Sequence, residues 1–312
     1  MAALVRGQFG DLLDPRFREI STEEQQKLHD DMVPILWNVT PATTPFRDSE
    51  RYSEISGLPM AGQFTGSLDY AQFAQGYDVT ATYIEFAQGI QIERMLVEYD
   101  QTNKIEERPR ALIRSMFRRR QYDALRHLRN AFSADTFFYN HTENVAMCSD
   151  SHTTTTGAAT TTGFDNLVTS PFSATALSAA QIQMAGYLDM QAQPIEVVGD
   201  TIIAPIDSYE AVWETVSSMG KIDVATNNRN VHYGTYDIIF LRNKIDFPDT
   251  NDWFLVDQQM MLNLFLWFYQ VGPEPEFGYT EEFDTMVAKY RAYQRYTNVR
   301  RDWRPFLGAQ VG

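Results

Sequence analysis

The sequence predicts an α+β fold. One long amphipathic helix lies between about residues 106 and 132, runs of two-residue alternation flank it, and the chain has neither a regular strand–helix–strand rhythm nor an internal repeat. The 312 residues suffice for one large domain or two intertwined ones with a sizeable core. Apolar residues at 44% and charged residues at 21% match globular composition, which argues against global disorder. The 20 Phe and 16 Tyr supply much contact area per residue, which suits a thin, extended subunit.

Residues 1–45 read as an arm, because Pro15, Pro34, Pro41 and Pro45 interrupt it repeatedly. Ser21 and Glu24 match a capping box, which predicts a short helix over 22–31. Residues 46–78 carry Gly57, Gly62, Gly66 and Gly76 and little periodicity, which fits a long hairpin or extended loop. A loop of that length is normally an interaction element. Residues 79–97 alternate and predict a strand, with Gly89 as a candidate bulge. The long helix follows. Leu112, Ile113, Met116, Phe117, Ala124, Leu125, Leu128 and Phe132 form its apolar face, Pro109 fits the first turn, and its length is on the order of 40 Å. Thr153–Thr162 is low in complexity and reads as an exposed loop. A second helix starts at Thr175, or at Ser178 with Gln181 as its capping box, and ends near Met190. A third runs from Ser208 to Met219, with Ser208 as cap and Gly220 as a left-handed stop. Strands are expected at 195–204, 235–241 and 286–304.

The formal net charge is −15, from 26 Lys and Arg against 41 Asp and Glu. So acidic a chain is a poor dedicated nucleic-acid binder, although an acidic wall suits a container that repels DNA. The single cysteine, Cys148, excludes an intrachain disulfide framework and fits a reducing compartment. Met1–Gly10 has no apolar run of signal-peptide length, and Phe254–Gln270 is too short and too polar to span a bilayer. No phosphate-cradling GxxxxGK[ST] or GxGxxG pattern occurs. Cys148, Asp150 and His152 have ligand chemistry but lack the second close pair of a zinc site, and Cys148 reads as a small apolar filler. Cys148 with His152 has the residue types of a nucleophile and base, without any GxSxG-like elbow. No catalytic residue, cofactor site or metal site is assigned.

The opposite face of the long helix carries Arg110, Arg114, Arg118, Arg119, Arg126 and Arg129. Like charges four residues apart repel one another, so this row calls for acidic partners, and Arg110, Arg114, Arg118 and Arg126 become candidates for inter-subunit contact. In the 46–78 loop, Tyr52, Ile55, Leu58, Phe64, Tyr70 and Phe73 are the corresponding apolar candidates, because a loop this poor in periodic apolar residues cannot offset its own ordering entropy.

The order of segments also resembles a known family. It runs through Tyr83-Ile84-Glu85-Phe86-Ala87-Gln88-Gly89-Ile90-Gln91-Ile92-Glu93-Arg94, Asp100 and Arg108-Pro109, then Ala146 to His152, Asn166-Leu167 and the Leu177–Met190 stretch. It closes through Ile202-Ile203-Ala204-Pro205, Ser217-Ser218, Asn227 to Asn230, Tyr236 to Ile239, Trp253 to Asp257 and Tyr290-Arg291 to Trp303. This order is similar to the major capsid proteins of tailed bacteriophages with the Hong Kong 97 fold, nearest the Mu-like major head subunit group, and covers roughly residues 40–312.

The resemblance implies an N-terminal arm at 1–45 and an extended loop at 46–82. It implies a peripheral domain at 83–190 with 286–312, holding the spine helix, and an axial domain at 191–285. It also implies a non-enzymatic head protein that self-assembles into homo-pentamers and homo-hexamers of an icosahedral shell around double-stranded DNA, without sequence-specific DNA binding or a membrane. Implied partners are a portal protein, a separate scaffolding protein and a decoration or cementing protein. The implied location is the virion, after assembly in the host cytoplasm. Some relatives cross-link a loop lysine to a neighbour, but no lysine lies between Lys27 and Lys104 here. Some carry a long cleaved scaffolding region, whereas the arm here is short. An encapsulin-like nanocompartment shell, and a soluble α+β hydrolase using Cys148 and His152, are the alternatives.

Overall fold

The computed structural model describes residues 19, 22–24, 32–41, 47–68, 70–93, 107–220, 229–270, 272, 274–282 and 287–312. In chain order the first elements are α1 (Val33–Leu36), β1 (Asn38–Pro41), β2 (Ser49–Ile55), β3 (Gln75–Thr82), β4 (Ile84–Glu93), α2 (Glu107–Ala124) and α3 (Arg126–Arg129). Then come β5 (Tyr139–His141), β6 (Leu167–Val168), α4 (Ala174–Met184), β7 (Thr201–Pro205), α5 (Tyr209–Ser217), β8 (Asp237–Leu241) and β9 (Trp253–Val256). The last are α6 (Gln258–Leu264), β10 (Phe265–Tyr269), β11 (Glu276–Glu282), β12 (Val287–Arg300) and β13 (Phe306–Ala309).

The fourteen-residue β12 is the axis of one sheet. Antiparallel β4 runs along one edge, from Val287↔Glu93 to Tyr296↔Ile84. On the other edge β11 and β10 lie end to end, and β1 adds to β10 in parallel. The helix α2 lays Leu112 and Met116 on this sheet against Ile92, Ala288, Tyr290 and Ala292. Each such large buried side chain contributes about 1.5–3 kcal/mol. Trp37 donates its indole N–H to the Ala124 carbonyl at 3.0 Å, which satisfies an acceptor that the helix end would otherwise orphan. A second sheet runs β6-β13-β9-β7-β8, and its β9, β7 and β13 are wholly buried. A third, β2-β3-β5, is the antiparallel hairpin and one short strand.

Several expectations are corrected. The long helix is not continuous to residue 132. Leu125 takes ψ near 0° and kinks it, so α2 is about 27 Å long and α3 continues beyond the kink. The kink leaves Leu125, Leu128 and Ala131 buried in the core. The alternating run that begins at residue 79 is two strands, not one. Tyr83 hands the chain from the hairpin sheet to the β12 sheet, its N–H bonding to Asp48 O at 3.3 Å and its hydroxyl to Glu50 at 3.2 Å. Gly89 is no bulge, since the β4–β12 register runs unbroken past it. A Cβ there would meet the Tyr290 carbonyl at 3.1 Å. The register shift lies instead between Ser53 and Ile55.

The second helix is capped by Ser173, whose side chain accepts from Ala176 N, and ends at Met184. Ser178 sits inside it, its hydroxyl donating to Ala174 O. The third helix is α5, preceded by a 3-10 turn over Ile206–Ser208. Ser208 makes no capping bond, and the helix stops because Ser218 turns extended, not at Gly220. The strand expected at 195–204 is Thr201–Pro205. Of the arm helix expected over 22–31, residues 22–24 are described and helical. The rest, with Ser21, lies outside the described residues, as do Arg94 and Asp100.

Candidate assembly surface

The hairpin between β2 and β3 is rooted firmly and exposed beyond its root. Ser56 N–H donates to Ala74 O and Ala74 N–H to Ser56 Oγ, both at 2.9 Å. Gln191 Nε2 reaches Ser56 Oγ at 3.3 Å, and Thr155 Oγ1 donates to Gln75 O at 2.9 Å. Gly57 passes so close to the Asp189 carboxylate that a Cβ would lie 2.4 Å from it. Past this root, every described residue from 58 to 73 is exposed. Phe64, Tyr70 and Phe73 leave 68%, 83% and 66% of their surface uncovered, and Ile55, Leu58, Met60 and Leu68 are exposed as well. So large an exposed apolar set is unusual for the free surface of a soluble subunit. Tyr52 is different: it stacks on Phe268 at 6.3 Å under the Arg301 guanidinium, within the subunit's own packing.

The arginine row of α2 finds much of its compensation inside the chain. Arg114 Nε donates to the buried Glu24 at 2.6 Å, which ties the arm segment to the helix. Arg126 grips Asp135 through two bonds of 2.6 and 2.9 Å and covers the Phe137 ring. That pairing holds the Asp135 carboxyl below its usual range, although burial pushes the other way. Arg119 bonds the buried Asp123 at 2.8 Å, which also accepts from the Tyr296 hydroxyl at 2.6 Å. Arg110 lies 3.8 Å from Glu107. Arg118 is exposed and acts on the buried Asp246 carboxyl: burial raises that pKa, and Arg118 pulls against the rise. The repulsion within the row was legible in the sequence; Glu107, Asp123 and Asp135 answer it from nearby in the chain, and Glu24 from ninety residues away.

A buried polar cluster at the hairpin root had no sequence signal, because its members are scattered. Arg304 bonds Asp302 at 2.8 Å, donates to Leu188 O at 2.7 Å and approaches Glu54 of β2 at 3.6 Å. Burial first, then Asp302, lifts the Glu54 carboxyl to about 7 against the pull of Arg304.

Cys148 and His152 do not form a nucleophile–base pair. Cys148 is buried, and burial pushes its thiol up to about 12, against Arg300. His152 commits Nδ1 to Glu143 at 3.0 Å and Nε2 to Asn166 Oδ1 at 3.2 Å, its ring stacked 4.2 Å from Trp303. Cys148 packs so tightly that a Cβ on Gly308 would fall 2.5 Å from its sulfur. Among the described residues, no group of three or more His, Cys, Asp or Glu could hold a metal, and no helix is long and apolar enough to cross a membrane.

The fold is similar to that of solved phage and particle structures. A chain of Mycobacterium phage Patience superposes with a TM-score of 0.60 at 9% identity, over 97% of this chain and 88% of that one. The capsid of an empty GTA particle matches with a TM-score of 0.57 at 11% identity, over 91% of each chain. The mature capsid of bacteriophage PhiM1 matches with a TM-score of 0.54 at 6% identity, over 89% and 86%. At such identities the likeness speaks for the α+β capsid fold alone. No curated protein matches the chain by sequence. The family model described as "Phage capsid protein" matches residues 77–307, from the hairpin through β13, and by that match this chain belongs to the phage capsid protein family.

Proposed function

We propose that this chain is the major head subunit of a tailed phage, assembling into pentamers and hexamers of an icosahedral shell around double-stranded DNA. The observation that carries the reading is a capsid-family chain that exposes a long apolar hairpin it cannot cover itself. Closed symmetry repeats each contact many times, so modest surfaces add up. In this reading residues 46–82 are the extended loop lying across a neighbour, and 1–45 the arm. Residues 83–190 with 286–312 form the peripheral part around α2, and 191–285 the axial part. The β6-β13-β9-β7-β8 sheet draws strands from both of these parts, which supports treating them as one continuous body. The exposed Arg118 is the arginine best placed to meet a neighbour, since Arg114 and Arg126 are held by Glu24 and Asp135 and Arg110 is half-buried beside Glu107.

The role is structural and not enzymatic. The buried thiol and the committed His152 leave the hydrolase alternative without its chemistry. Portal, scaffolding and cementing proteins are the expected partners, and host cytoplasm the expected place of assembly. Electron microscopy of the purified protein tests the proposal: large closed shells with five-fold and six-fold clusters are expected. A monodisperse monomer, with no particles from infected cells, would overturn it. A small, protein-filled shell would point to the nanocompartment alternative.

A further inference from the structure

Arg300, at the end of β12, is 4% exposed, and among the described residues its Nε and Nη1 have no hydrogen-bond partner. It lines a small cavity between α3, the 130–136 turn and β5. Buried His127 and Tyr139 and half-buried His141 form the floor and wall with it, while Ser133 and Thr136 lie at the exposed mouth. The centre of a water-sized sphere can occupy about 20 Å³ of it. That is room for about one small particle, since a single buried water needs roughly 10–15 Å³ on the same measure.

The charges around this space do not cancel. Asp135 also lines it, but two bonds from Arg126, one from Asn130 Nδ2 at 3.0 Å and one from Phe137 N–H at 3.2 Å consume that carboxylate. Glu143 is taken by His152 and the Thr153 N–H, and Asp302 by Arg304. Burial, and then Arg300 itself, push His127 down to about 3 and His141 to about 4, so both imidazoles are neutral near pH 7. With Arg126 and Asp135 cancelling, one positive charge remains. Burying an unpaired guanidinium is costly, and its N–H groups can only donate. Water could accept those bonds but would leave the charge uncompensated, and phosphate or sulfate is too large.

We propose that the Arg300 cavity binds a small monovalent anion of the size of chloride. The ion accepts from Arg300 Nε and Nη1, next to the Tyr139 and His141 rings and below the Ser133–Thr136 mouth. The formal net charge of the whole chain is −15, so the site is a local positive island and not part of a general anion-attracting surface. The proposal does not depend on the shell-forming role.

The test is thermal unfolding of the full-length protein, as free subunit and as particle, in sodium chloride, bromide or gluconate at matched ionic strength. Above the dissociation constant, each tenfold rise in chloride should lift the midpoint by about 2 °C for a chain of this size. Bromide should act alike, and gluconate should do nothing. Arg300→Met should abolish the dependence. Should that variant fail to fold, chloride-35 line broadening by the wild-type protein, reversed by bromide, reads the same site. Equal midpoints in chloride and gluconate, or a dependence that survives Arg300→Met, would overturn the proposal. So would a cavity holding only water, or a carboxylate of a neighbouring copy, in a bromide-soaked structure.

Discussion

Replacing Phe64, Tyr70 and Phe73 together by serine should uncouple assembly from folding. These rings leave 68%, 83% and 66% of their surface uncovered in the subunit, so removing them takes little from its own core. Full burial of a large apolar side chain is worth about 1.5–3 kcal/mol, and roughly two-thirds to four-fifths of that surface remains to be buried. Each ring can therefore supply about 1–2 kcal/mol to a neighbour, and the three together about 3–6 kcal/mol per subunit. Every subunit in the shell loses that amount at once. The free triple variant should unfold within about 1 kcal/mol of wild type in urea. Particle yield in sedimentation should collapse, or any particles formed should dissociate at much lower denaturant. Tyr52→Ala is the contrasting control. It removes the stacking on Phe268 and the Arg301 contact, and should destabilise the subunit itself by about 2–4 kcal/mol. Wild-type yield and wild-type particle stability from the triple variant would refute the reasoning, and would mean that the hairpin tip is merely a solvated loop.

Other outcomes are open to direct measurement. Because no lysine lies within 46–82, boiling mature particles in reducing detergent should release one band near 35.8 kDa. A ladder of covalent multimers would contradict this and implicate Lys27 or Lys104 as donors. Arg114→Glu sets two carboxylates against each other at the buried Glu24, so limited proteolysis should cut the arm faster while α2 stays folded. Arg118→Glu should reduce shell formation more than subunit stability, and normal assembly would show that this exposed side chain is only solvated. Glu54 binds its proton more tightly folded than unfolded, with a pKa of about 7 against an ordinary 4.5. Its contribution to stability is therefore fullest below pH 4.5 and is lost as pH rises through about 7. Glu54→Gln should gain on the order of 1–3 kcal/mol at pH 8 and almost nothing at pH 4 in urea unfolding, and an equal gain at both would reject the assignment. Cys148→Ala should leave particle assembly intact, at a cost of about 1 kcal/mol or more to the subunit through the cavity beside Gly308.

Some of this molecule was legible residue by residue. The apolar spacing of Leu112, Ile113, Met116 and Phe117 specified α2, because a 3.6-residue period survives any packing partner. Glycines and scattered rings in 46–78 marked a long hairpin or extended loop, since nothing there repeats often enough to pack internally, and the strands Ser49–Ile55 and Gln75–Thr82 make it a hairpin. Other features had no such period. The run from Trp253 to Tyr269 reads as one apolar block, yet it is strand, helix and strand. Strands buried on both faces lose their alternation, and only the pairing of β9 with β7 and β13, and of β10 with β12, divides the block. The kink at Leu125 and the hand-off at Tyr83 depend on where Trp37, Glu50 and the β12 sheet already stand. Charge behaved in the same way. The sequence alone determined that the arginines of α2 repel one another and need acids. That Arg114 is answered by Glu24, ninety residues away, and that Arg300 is left without an acid among the described residues, follow from contacts that only folding makes. Coulomb attraction and desolvation depend on distance and burial in space, which only the tertiary structure decides.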